Sequence, residues 1–131
     1  MKDQKVISQL EGQHRVAAEL LARGYIPAIL AERTVGCDLL VLSPEREKFG
    51  LEVKTNRKRN AWFCRRPTAD DAEIWVFVVL EPKPLFSVMT RDQVRDEWDQ
   101  YRQMKPRKPT DQGMLVGQVA RYEGRWEVLP S

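Results

Sequence analysis

The heptapeptide Ile74-Trp-Val-Phe-Val-Val-Leu80 contains no charged residue and is β-prone throughout. A strand that is apolar at successive positions is stable only where both of its faces are covered. This segment therefore predicts the central strand of a sheet, and the other elements must be arranged around it.

Upstream, Val6, Ile7, Leu10, Ala17, Leu20 and Leu21 recur at helical spacing between Lys5 and Arg23, and Gly24 marks a stop. Taking 100° per residue from Leu10, Gln13 and His14 fall on the inward stripe, Glu11 on its flank and Glu19 on the opposite face. Tyr25 to Ala31, entered through Pro27, reads as a first strand. After Glu32-Arg33-Thr34, Cys37 to Leu42 reads as a second. Ser43 to Lys48 is a turn, and Phe49 to Thr55 forms a third strand. There Leu51 and Val53 share one face while Glu52 and Lys54 share the other.

Asn56 to Asn60 is a basic loop, followed by a short strand Trp62-Phe63-Cys64 and the pair Arg65-Arg66. Pro82 and Pro84 separate the apolar heptapeptide from a further strand, Leu85 to Met89. Thr90-Arg-Asp-Gln93 has the spacing of a helix capping box, so a second helix is expected to run to about Met104 with Val94, Trp98 and Tyr101 buried. Lys105 to Gly113 is a polar, Pro-rich loop. In the tail from Met114 to Leu129, Gly124 suggests a turn between two short strands. This order predicts a mixed β-sheet flanked by helices, an α/β or α+β sandwich, and 131 residues suit a single domain over 1–131.

Composition excludes little. With 22 Lys plus Arg against 19 Asp plus Glu, the net charge of +3 does not by itself argue for a polyanionic partner. The only cysteines, Cys37 and Cys64, form no C-x-x-C pattern and have no base beside them in sequence, so both read as reduced, structural thiols. No apolar run approaches the ~20 residues of a membrane span, and the opening Met-Lys-Asp-Gln-Lys lacks the apolar stretch of a secretory signal. A cytoplasmic location without membrane association is the expectation.

The chemistry concentrates on the hairpin. Glu52 and Lys54 share a strand face, and the turn at Pro44 allows Asp38 to lie beside them. Two converging carboxylates form an oxygen-rich site suited to magnesium, and an adjacent ammonium can orient a water or neutralise charge developing on phosphorus. The bland alternative is a solvated Glu-x-Lys pair on an exposed strand, with Asp38 capping a turn.

Gly36-Cys-Asp38-Leu-Leu-Val, then Leu-Glu52-Val-Lys54-Thr, preceded by Gly12-Gln-His-Arg-Val-Ala-Ala-Glu-Leu-Leu-Ala-Arg-Gly-Tyr25, resembles the PD-(D/E)XK nuclease superfamily. Archaeal-type Holliday junction resolvases and intron-type homing endonucleases of this fold look similar. The resemblance covers roughly the first 80 residues well and the rest only in broad element order. It implies a restriction-endonuclease-like core: a helix, a three-stranded meander, a helix and further strand pairing. It also implies Asp38 and Glu52 as ligands of Mg2+, with Mn2+ able to substitute, the Val53 carbonyl as a third ligand, and Lys54 as the catalytic lysine.

Two positions depart from the family pattern. Gln13 stands where many members carry a glutamate on the first helix; its carbonyl oxygen can still orient a metal-bound water but adds no charge, so one metal is expected. Cys37 replaces the usual proline before the aspartate. His14, the only histidine, could touch substrate or serve as an acid, but packing is favoured.

Arg57, Lys58, Arg59, Arg65 and Arg66 would form a cationic rim that positions phosphates, with ordinary loop solvation as the alternative. Trp62 among them could stack on a base, although a tryptophan there is more often core. Lys105, Arg107 and Lys108 could add a second backbone contact. No base-reading motif is present, so DNA is the expected partner without an assigned specificity, and a homodimer would suit two-strand cutting. The competing readings are a nucleic-acid-binding module that keeps the fold without turnover, and a plain interaction domain.

Overall fold

A computed structural model describes residues 2–31, 36–104 and 113–131. Helix α1 (Lys2–Ala22) leads into strands β1 (Ile26–Ile29), β2 (Leu39–Leu42), β3 (Lys48–Asn56), β4 (Ile74–Val79) and β5 (Leu85–Thr90). Helix α2 (Arg91–Met104), helix α3 (Val116–Ala120) and a 3-10 turn (Trp126–Val128) follow. The five strands form one sheet in the order β1-β2-β3-β4-β5. Pairing is antiparallel except between β3 and β4, which run parallel.

The apolar heptapeptide behaves as its composition demands. Ile74, Val76 and Val78 join Leu51, Val53, Val16 and Leu20 in a core beneath α1. Trp75, Phe77 and Val79 face the other way, against Trp62, Cys64, Met89, Val94 and Val119. This second layer stops short of β1 and β2, so Leu40 on that face is exposed.

α1 is rotated from the orientation expected around Leu10. Its buried stripe is Ser8, Gly12, Gln13, Val16, Ala17 and Leu20, whereas Val6, Ile7, Leu10 and Leu21 are exposed, and so is His14. Close approach sets the rotation: a Cβ at Gly12 would collide with Thr55, so the bare backbone of Gly12 must face β3. Gly24, with φ of 88°, ends α1 as expected, and the Tyr25 N–H donates to Leu20 O at 3.0 Å.

The helix implied after the meander does not lie between β3 and β4. The crossover over 57–73 is irregular, and its Trp62-Phe63-Cys64 segment makes only a single bridge, Trp62 with Met114. The helical cover on this face comes instead from α2 and α3, which follow the last strand. The expected capping box opens α2: the Gln93 N–H donates to Thr90 Oγ1 at 3.2 Å and the Thr90 N–H to Gln93 Oε1 at 2.9 Å.

The two short strands expected around Gly124 are absent. α3 and the 3-10 turn occupy that stretch, and Glu123 makes only a bridge to Ser87. Buried Glu97 ties α3 to α2, accepting from Gln118 Nε2 (3.0 Å), Arg121 Nη2 (2.8 Å) and the Tyr122 hydroxyl (2.8 Å). A buried carboxylate is tolerable there because donors from three side chains surround it.

Candidate active site

β2 and β3 separate at Asp38. The last register pair toward that end is Leu39 with Leu51, and the Asp38 N–H still donates to Leu51 O at 3.0 Å. Beyond it β3 continues to Asn56 alongside β4 alone. Asp38 Oδ2 then accepts the Val53 N–H at 2.8 Å, so a carboxylate completes the bond that a strand would have supplied.

A cleft of about 630 Å³ opens at this fork, lined by Gln9, Leu10 and Gln13 from α1 and by Asp38, Glu52 and Lys54 from the hairpin. Asp38 is 5% exposed and Glu52 3%. Strand alternation puts Glu52 and Lys54 on the face away from α1, where Lys54 Nζ lies 3.5 Å from Glu52 Oε2 and 5.8 Å from the centre of the Trp75 ring. The bland reading of an exposed, solvated Glu-x-Lys pair is inconsistent with this burial.

The donor set suits a hard divalent cation. Among the described residues Asp38 Oδ1 has no hydrogen-bond partner, and no group of three or more His, Cys, Asp or Glu could hold a metal. Two carboxylates, one backbone carbonyl and water are nevertheless the kind of oxygen-rich, partly hydrated shell that magnesium accepts. Gln13 is buried against the cleft, as expected, with no hydrogen-bond partner among the described residues. Gln9, which sequence reading passed over, donates from Nε2 to the Val53 carbonyl at 2.8 Å. Its position one helical turn before Gln13 was the available signal.

Comparison with solved structures places this architecture. The bacterial homing endonuclease I-Ssp6803I superposes with a TM-score of 0.61 and 17% identity, over 93% of this chain and 90% of its own. Hjc of Archaeoglobus fulgidus, a Holliday junction resolvase, superposes with a TM-score of 0.55 and 12% identity, over 86% of this chain and 92% of its own. This chain has the PD-(D/E)XK nuclease fold. No family model and no curated protein matches the sequence. Within this fold Asp38, Glu52 and Lys54 occupy the fork between an antiparallel and a parallel strand pair.

Most of the cationic rim is engaged internally. Arg57 donates to Glu11 (3.0 Å) and Ser8 (2.9 Å) on α1 and lies 3.5 Å from Glu81. Arg65 makes a two-pronged contact with Asp71, and Arg66 another with Asp99. Arg59 Nη2 lies 3.6 Å from Glu123. Among the described residues Lys58 is exposed and unpaired. Trp62 is core, edge-on to Phe77 with centroids 5.1 Å apart, and its neighbour Phe63 is the exposed aromatic, at 81%. Lys105, Arg107 and Lys108 lie outside the described residues.

Cys64 packs in the second core, where burial pushes its thiol up to about 11, against smaller lowering by Lys54, Arg102 and Arg65. A thiol so protonated is no nucleophile near neutral pH. Among the described residues no helix is long and apolar enough to cross a membrane.

Proposed function

We propose that this protein is a Mg2+-dependent endonuclease that hydrolyses DNA phosphodiester bonds. The observation that carries the reading is the burial of Asp38 and Glu52 beside the Lys54 ammonium in an open cleft. Enclosing two carboxylates is costly, and a cation in the cleft would add to the compensation that the Val53 N–H gives Asp38 and the Lys54 ammonium gives Glu52. Asp38, Glu52 and the Val53 carbonyl would hold it. When bound, the ion supplies a Lewis acid for the phosphoryl oxygens and a more acidic water.

Lys54, held between Glu52 and the Trp75 face, stays near the scissile group to balance negative charge developing on phosphorus. Gln13 presents an amide oxygen able to orient the attacking water without adding charge. Lys58, and Arg59 from its long contact with Glu123, would meet backbone phosphates, with Arg57, Arg65 and Arg66 shaping the loop they extend from. Two solved structures sharing the fold are described as a homing endonuclease and a Holliday junction resolvase, which supports DNA, duplex or branched, as the substrate class. A single domain spanning 1–131, dimerising to cut two strands in the cytoplasm, accords with this reading.

Purified wild type, Asp38→Ala and Lys54→Ala, incubated with linear, nicked and branched DNA plus magnesium or manganese, test the assignment. Cleavage should fall by about two to four orders of magnitude in either variant. Equal residual cleavage in all three proteins would defeat it.

Gln13 favours a second reading, because a carboxamide lines the cleft where the resemblance to PD-(D/E)XK nucleases implies a glutamate. A module that binds without cutting would show salt-dependent DNA affinity and no metal-stimulated cleavage. Robust cleavage by the purified protein would exclude it.

A further inference from the structure

Backbone groups on a strand alternate sides, so the N–H and C=O of Val53 point the same way as Leu51 O, toward the side that β2 has left. Side chains from two other elements replace the missing strand there. Asp38 Oδ2 accepts the Val53 N–H at 2.8 Å, and Gln9 Nε2 donates to the Val53 O at 2.8 Å. Because the acceptor is a carbonyl, only the nitrogen end of the Gln9 amide can face it.

The contact belongs to a zipper along α1. The Val53 carbonyl meets Gln9, Thr55 packs on Gly12, and Arg57 bonds Ser8 and Glu11. Gly12 and Arg57 supply close packing and ion pairs for that docking. Of these α1 residues it is Gln9 that bonds the carbonyl between Glu52 and Lys54, and it lines the cleft with them.

We propose that Gln9 is a positioning residue for the cation site. Its amide occupies one lone pair of the Val53 carbonyl and fixes the direction of the other, which is left to serve the cation. Without Gln9 the Val53 carbonyl has no other hydrogen-bond partner among the described residues, and its peptide, held from the β4 side alone, can tilt toward water and take the third oxygen of the site out of register. The inference rests on the metal-site reading given under Proposed function.

Titration of the full chain with Mn2+, followed by the electron paramagnetic resonance of the free ion, tests it. Gln9→Met and Gln9→Leu keep the bulk of the side chain and remove the donor. The measurement is made where circular dichroism shows each protein folded, and melting temperatures are recorded without metal. Wild type should bind Mn2+, Asp38→Ala should not, and both Gln9 variants should bind about tenfold more weakly.

Wild-type Mn2+ affinity in the Gln9 variants overturns the proposal, whatever happens to their melting temperatures, because a purely structural role would move stability alone. If wild type binds no Mn2+, or Asp38→Ala binds it equally well, the metal-site reading itself has failed and the proposal falls with it.

Discussion

The Asp38 carboxylate and the Val53 amide meet in a 2.8 Å hydrogen bond that ends the β2–β3 ladder. Asp38 therefore has a structural duty separable from any chemistry. Asp38→Ala leaves a buried N–H without a partner and should lower unfolding free energy by about 1–3 kcal/mol in urea denaturation. Asp38→Asn keeps an oxygen acceptor and should lose clearly less stability, while both variants lose Mn2+ binding. Equal destabilisation by the two would mean that the carboxylate does not cap the strand.

The rim residues should separate by their partners. Lys58, unpaired among the described residues, is free to meet a phosphate, so Lys58→Ala should reduce the slope of log affinity against log salt by about 1. Arg66→Ala should change that slope less, because the guanidinium is committed to Asp99. Arg57→Ala should instead destabilise the fold by about 1–3 kcal/mol, through loss of its bonds to Ser8 and Glu11. Fluorescence anisotropy over a salt series, with parallel urea melts, distinguishes the three.

Gly12 and Thr55 form a mutually fitted pair. Gly12→Ala gains about 1 kcal/mol of helix propensity but places a methyl group against Thr55, where overpacking costs about 1–3 kcal/mol. A net loss of stability is expected for the single variant. Thr55→Ala removes the opposing Oγ1 and methyl, so the double variant should recover much of it. Strict additivity of the two effects in a double-mutant cycle would show that the contact does not set the helix position.

Cys64 predicts an alkaline weakening. Its thiol ordinarily ionises near 9.0 and in the fold near about 11, so the unfolded chain releases its proton first. The stabilisation is complete below about pH 9 and is lost as pH rises through about 11. Urea unfolding across that window should show a loss on the order of 2 kcal/mol that is absent in Cys64→Ala. The same slope in both proteins would place the titration elsewhere.

The sheet was legible wherever a local period carried the information. Ile74 to Leu80 announced a strand covered on both faces, Thr90 and Gln93 announced the start of α2, and alternation in β3 put Glu52 beside Lys54. The orientation of α1 was not legible, because Val6, Ile7 and Leu10 match a helical stripe although the sheet faces Ser8, Gly12 and Gln13. α3, Val-Gly-Gln-Val-Ala, is too short to carry a helical period and rests on bonds from Gln118 and Arg121 to Glu97, more than 20 positions away. Likewise Arg57 looked free in a basic loop because its partners Ser8 and Glu11 are remote in sequence.

The bend at Ser43–Glu47 joins β2 and β3 at the end opposite Asp38, roughly 15 Å along the ribbon at the usual rise per residue. Glu45 at its tip is exposed. A fluorophore or surface tether attached there would ride at the end of the ribbon remote from Asp38, leaving the mouth of the cleft open to a long polymer during single-molecule observation.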